Sequence, residues 1–139
     1  MKIIITGGLG YIGTELCKIY SGESRYKDIT VIDNRFVSER VTQLRDWGIN
    51  FIHGDIMDLS LMKSVLSDAD IVYHLAGITD VAYTKTEANS EKDKMITKVG
   101  IEGTKNIIKS VSKHTKLIFP STHVVYEGLE ETKFDLDES

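Results

Sequence analysis

The segment Ile3-Ile4-Ile5-Thr6-Gly7-Gly8-Leu9-Gly10-Tyr11-Ile12-Gly13 runs from an apolar strand through a glycine-rich turn into a helix. A strand that turns at once into a helix is the opening half of a βαβ unit, and such units build parallel sheets with helices on their faces. Gly8, Gly10 and Gly13 satisfy G-x-G-x-x-G, and Gly7, Gly10 and Gly13 satisfy G-x-x-G-x-x-G. Glycines at these points keep side chains away from a pyrophosphate and let the backbone N–H groups at the start of the helix face it. Alone, the pattern also describes an ordinary turn. Its surroundings say more. Ile12, Leu16, Ile19 and Tyr20 fall at helical spacing and predict the inward face of the first helix. Asp28-Ile29-Thr30-Val31-Ile32-Asp33 then reads as a second strand, ending in a carboxylate twenty residues past Gly13. An acid at that distance is placed to accept hydrogen bonds from an adenosine ribose.

The rest of the chain keeps the alternation. Ser38 to Trp47 predicts a short helix stopped by Gly48, and Ile49 to His53 a third strand. Asp58 or Ser60 is placed to cap a helix running through Leu66. Asp70 to Ala76 predicts a fourth strand, about Ala88 to Lys113 the longest helix, and Lys116 to Phe119 a fifth strand; the acidic tail from Glu127 predicts a loop. Continuous apolar strands between amphipathic helices indicate a doubly wound α/β domain. At 139 residues the chain has the size of one domain. Seventeen basic and twenty-one acidic residues, with no basic run, argue against a nucleic-acid surface. Cys17, the single cysteine, excludes an intrachain disulfide, suits a reducing cytoplasm and reads as packing. No apolar stretch reaches membrane-spanning length.

Five motifs in register resemble the N-terminal part of the extended short-chain dehydrogenases/reductases, in particular their NAD-dependent sugar-nucleotide epimerases and dehydratases. They are Thr6 to Gly13, Asp33-Asn34, Gly54-Asp55-Ile56, His74-Leu75-Ala76-Gly77 and Ser121 to Tyr126. The resemblance implies a Rossmann-like parallel sheet of about five strands in the order 3-2-1-4-5, filling residues 1–139 as an NAD-binding domain. It implies that Gly7, Gly10, Tyr11, Ile12 and Gly13 receive the pyrophosphate and that Asp33 and Asn34 meet the adenosine ribose. Asp55 then accepts from the adenine amino group, Ile56 covers the ring, and Leu75, Ala76 and Gly77 support the nicotinamide half. Taken without the resemblance, Asp55 reads equally well as a turn or cap residue. Asp33 favours NAD, since a carboxylate repels the additional phosphate of NADP, and it is expected to carry little of the fold's stability. Arg35, two residues on, is placed to meet a 2′-phosphate and keeps NADP open as the second cofactor. His74 and His53 read as hydrogen-bonded structural histidines rather than acids or bases.

Thr122 matches the family's catalytic Ser/Thr, whose hydroxyl contacts the sugar oxygen being oxidised or reduced. Dehydratases of the group follow it with Asp-Glu, whereas His123 and Val124 stand here, which disfavours dehydration. The family's Tyr-x-x-x-Lys has no counterpart: none of the six tyrosines is followed four residues on by lysine. Gly100-Ile101-Glu102-Gly103-Thr104 replaces the family's Asn-x-x-Gly-Thr and weakens the long helix by about 1 kcal/mol relative to alanine at position 100. The expectation is therefore the cofactor-binding part of a sugar-nucleotide epimerase or oxidoreductase, inactive as this isolated chain; the alternative is a self-standing, non-catalytic dinucleotide-binding module. On the long helix, Ile96, Val99, Gly103 and Ile107 form the predicted inward stripe, and Ile101 and Ile108 lie on a neighbouring one. That second stripe, together with an edge position for Lys116 to Phe119, predicts a homodimer or higher self-association.

Overall fold

The computed structural model describes residues 1–23, 25–78 and 90–121. Five strands form one sheet: β1 (Lys2–Thr6), β2 (Asp28–Asp33), β3 (Asn50–His53), β4 (Ile71–His74) and β5 (Lys116–Ile118). The helices are α1 (Tyr11–Ser21), α2 (Ser38–Asp46), α3 (Leu59–Leu66), α4 (Ser90–Lys98) and α5 (Thr104–Ser110). The strand order is β3-β2-β1-β4-β5, every pairing is parallel, and Ile4 stands beside Thr30 on one side and Val72 on the other. This is the doubly wound, Rossmann-like sheet that the sequence predicts. All five strands end toward the same edge, where the connecting loops collect.

The strands are apolar throughout because both faces are covered. Ile3, Ile5, Ile29 and Val31 pack with Leu9, Cys17 and Leu44 under α1 and α2. Ile4, Ile32 and Val72 pack with Met62, Leu66 and Ile107 under α3 and α5. Asp58 caps α3 by accepting from Leu61 N at 3.0 Å, leaving the Ser60 alternative unused. Cys17 is fully buried, which pushes its thiol up to about 12 and suits its reading as packing.

Three local readings change. Ile12 and Ile19, predicted to face inward, are each 62% exposed, while Gly13 and Cys17 form the buried line of α1. Close approach of Gly13 to the turn sets this rotation, since a Cβ on Gly13 would stand 2.5 Å from Gly8 Cα. The long helix carries a π turn, Val99–Gly103, between α4 and α5, and it ends at Ser110 because Val111 is extended. Gly103 and Ile107 are buried, Ile96 and Val99 half-buried, and Ile101 and Ile108 exposed, as the two stripes predict. The predicted start of this helix and the acidic tail lie outside the described residues.

Candidate functional site

Where β1 meets α1 the backbone turns through Gly7, whose φ of +72° is a left-handed conformation that favours glycine. A Cβ here would also stand 2.7 Å from Ala76 N, so the turn and the loop after β4 touch backbone to backbone. Gly7 N donates to Ile32 O at 2.8 Å and Gly10 N to Gly7 O at 3.0 Å, which fixes the loop's shape. Helix α1 then begins at Tyr11 with an extended Gly10 before it, no side-chain cap and no acid in its first turn. The opening amides, Tyr11, Ile12 and Gly13, have no acceptor within the helix and carry its positive dipole end. The side chains of Tyr11 and Ile12 are exposed, so the N–H groups are approachable.

Asp33, at the end of β2, holds this loop from beneath. Its side chain is 4% exposed; Oδ2 accepts from Leu9 N at 3.0 Å, and Oδ1 accepts from Arg35 N at 3.0 Å and Arg35 Nε at 3.4 Å. Arg40, from α2, donates to Leu9 O. Leu9 is thus gripped at both backbone atoms by side chains of the following βα segment. Asp33 therefore bears on the fold as well as on the site, contrary to the sequence expectation. After β3, Asp55 Oδ1 accepts from Met57 N at 2.9 Å and Oδ2 from Asn34 Nδ2 at 3.4 Å, so the turn role is real and one carboxylate edge is held only weakly. Ile56 differs from expectation: it is 6% exposed and pressed on Gly103, where a Cβ would meet Ile56 Cδ1 at 2.4 Å. It belongs to the core, and only its margin borders the site. His53 Nε2 donates to Asn34 O at 3.0 Å, a structural role as predicted.

The far wall is built on His74. Leu75 N donates to Thr6 O at 3.0 Å, and Ala76 N to Thr6 Oγ1 at 3.4 Å. His74 Nδ1 lies 2.9 Å from Thr6 Oγ1 and Nε2 3.0 Å from Thr104 Oγ1, tying β1, β4 and α5 together. Burial holds its imidazole down at about 4, so it is neutral at pH 7, and Phe119 stacks on it with centroids 5.4 Å apart. A 1% exposed ring with a partner at each nitrogen braces the wall, as the structural reading of His74 expects.

These loops enclose a groove of about 890 Å³ along the strand ends. Gly7, Gly10, Tyr11, Ile12 and Gly13 line it at the helix start; Asp33, Asn34, Asp55 and Ile56 line it at one end; Leu75, Ala76 and Gly77 line it at the other. The structure therefore brings every sequence-predicted binding residue to one cleft. Thr122 lies outside the described residues; Phe119, Pro120 and Ser121, leading up to it, line the same groove. Sequence reasoning missed the wall formed by Ile96, Val99 and Thr104, and the Thr6–His74–Thr104 link. The family motifs contain Thr6 and His74, but only the fold shows that one bonds the other. Among the described residues no cluster of three or more His, Cys, Asp or Glu side chains is arranged to hold a metal ion, and no helix is long and apolar enough to cross a membrane.

An open parallel sheet with a glycine turn, a free helix N-terminus and an acid closing β2 defines the Rossmann-like α/β class. Residues 4–138 match the 3-beta hydroxysteroid dehydrogenase/isomerase family, and the chain belongs to that family of extended short-chain dehydrogenases/reductases. It is 30% identical to the CDP-paratose 2-epimerase of Salmonella typhi over its whole length, covering 42% of that protein. It is 29% identical to the UDP-glucose 4-epimerase of Mycoplasma genitalium, over 90% of this chain and 37% of the relative. Among solved structures, a UDP-glucuronic acid 4-epimerase from Bacillus cereus, in complex with NAD and a fluorinated UDP-glucuronic acid, matches with a TM-score of 0.75 at 28% identity, over 99% of this chain and 44% of that one. The chain thus spans less than half the length of these relatives.

Proposed function

We propose that the groove binds NAD and that the chain is the cofactor-binding part of a sugar-nucleotide epimerase or oxidoreductase. The observation that supports this reading is the convergence of the twelve residues that the motifs mark on one groove at the free end of α1. The groove fits a dinucleotide: a pyrophosphate needs the Tyr11, Ile12 and Gly13 amides, and the backbone contacts at Gly7 and Gly13 exclude side chains from its path. Asn34 and the edge of Asp33 meet the adenosine ribose, Asp55 the adenine, and Leu75 to Gly77 the nicotinamide half. When bound, the cofactor supplies a hydride acceptor at its nicotinamide. This chain's own residues bind and orient it, and Thr122 hydrogen-bonds the sugar oxygen; proton transfer at the sugar belongs to a Tyr-Lys pair that the 139 residues do not contain.

The isolated chain accordingly binds NAD(H) and turns over no sugar nucleotide. Titration of the 139-residue protein with NADH, read by nicotinamide fluorescence, checks the first half. An epimerisation assay checks the second. No binding at millimolar NADH overturns the reading, and turnover by the homogeneous chain overturns its inactivity. The same reading places the protein in the cytoplasm with Cys17 reduced, and it includes a homodimer through the exposed Ile101 and Ile108 face.

A further inference from the structure

Helix α5 holds the loop between β3 and α3 by a side chain that the motifs do not mark. Asn106, half-buried, donates through Nδ2 to Ile56 O and to Met57 O, each at 3.1 Å. A side-chain amide carries two N–H donors, so one residue serves both carbonyls. Gly103, three residues earlier, lies against Ile56 with no room for a Cβ between them. Residues 56 and 57 are thus fastened to α5 by packing and by hydrogen bonds together, and α5 is itself fixed to the sheet where Thr104 Oγ1 meets His74 Nε2 at 3.0 Å. Met57 is held at both backbone atoms, because its N–H donates to Asp55 Oδ1 at 2.9 Å. Asp55 is exposed and lines the groove. A chain of contacts therefore runs from Asn106 through Met57 to the Asp55 carboxylate.

We infer that Asn106 is a positioning residue for the adenine end of the groove: it fixes the backbone that aims Asp55, and so sets how sharply the protein reads the amino group of the base. This rests on the dinucleotide reading above and deepens it. A carboxylate recognises an amino group only while distance and alignment hold, since a hydrogen bond weakens steeply as its angle closes. The second Asp55 oxygen has the longer 3.4 Å contact to Asn34 Nδ2, so the aim of the carboxylate depends on its Met57 side. Without the Asn106 amide the two carbonyls turn to water, residues 56 and 57 part from α5, and Asp55 moves with them.

The test compares NADH with deamino-NADH, in which hypoxanthine replaces adenine and an oxygen stands where the amino donor was. Dissociation constants for both are measured by nicotinamide fluorescence on the wild type, Asn106→Leu, Asn106→Ala, Asp55→Ala and the double variant of Asn106→Leu with Asp55→Ala, with circular dichroism verifying the fold of each. The wild type binds NADH about tenfold or more tighter than deamino-NADH, the size of one charge-assisted hydrogen bond, and Asn106→Leu brings the two within about threefold. Asp55→Ala does the same, and Asn106→Leu added to it changes the ratio no further, because both act through one contact. A folded Asn106→Leu or Asn106→Ala chain that keeps the wild-type ratio overturns the inference even where both affinities fall together, since a purely structural role moves them equally. A further change of ratio in the double variant overturns it as well, as does loss of the fold in both Asn106 variants. A wild type that binds the two cofactors equally overturns the Asp55 contact and this inference with it, leaving the dinucleotide reading standing. Binding of neither overturns that reading itself.

Discussion

Asp33 has a structural role that the sequence does not show, beside the ribose role proposed for it. Its place at the end of β2 marks it for the ribose, yet its Oδ2 satisfies the buried amide of Leu9. Asp33→Ala should therefore weaken NAD binding by about 1–3 kcal/mol and also destabilise the fold by about 1–3 kcal/mol, because an amide left without an acceptor bears its full desolvation cost. Calorimetric titration and urea unfolding report the two losses separately. His74 makes a pH prediction. Its folded value of about 4 lies below the ordinary 6.5, so between these values the unfolded chain binds the additional proton. Stability from the neutral ring is complete above pH 6.5 and falls as pH drops toward 4, by about 2–3 kcal/mol for this group. Urea midpoints measured across that range should fall more steeply for the wild type than for His74→Gln, which has no proton to gain.

At the scale of elements, the strands were legible because burial on both faces leaves a plain signal: unbroken runs such as Ile3 to Ile5 and Val31 to Ile32. Asp58 was legible as a cap because it precedes a helix whose N3 amide it meets. The rotation of α1 was not, since hydrophobicity favours Ile12 and Ile19 inward, while the fold gives that face to the Gly13 contact with Gly8. The π turn was equally hidden, because no composition rule marks an inserted residue within a helix. Glycines that look alike in the sequence now separate. Gly100 is exposed, and a Cβ added there would meet nothing within 4 Å, so Gly100→Ala should stabilise by about 0.5–1 kcal/mol. Gly13→Ala meets backbone at 2.5 Å and should cost about 3 kcal/mol or more while opening the turn proposed to face the pyrophosphate. Thermal unfolding of the two variants side by side measures the contrast.

For the molecule as a whole, the unsettled surface is the outer face of α5 and the π turn, where Ile108 is 57% and Ile101 50% exposed. Under the proposed homodimer, Ile101→Glu with Ile108→Glu shifts the sedimentation coefficient from dimer to monomer, while circular dichroism keeps the spectrum of the folded chain. A concentration-independent monomer in the wild type rejects that interface. The Thr6–His74–Thr104 link has a further consequence, for the order in which the protein comes into being. It joins residues 68 and 30 positions apart, and the glycine turn likewise reaches forward to Asp33, 24 positions on. A chain emerging from the ribosome therefore exposes its glycine turn long before the partners that shape it exist, and the groove closes only once Thr104 is available. In a complete chain that refolds, the groove likewise forms only when these long-range contacts do, so added cofactor should raise the final stability by mass action while leaving the refolding rate unchanged.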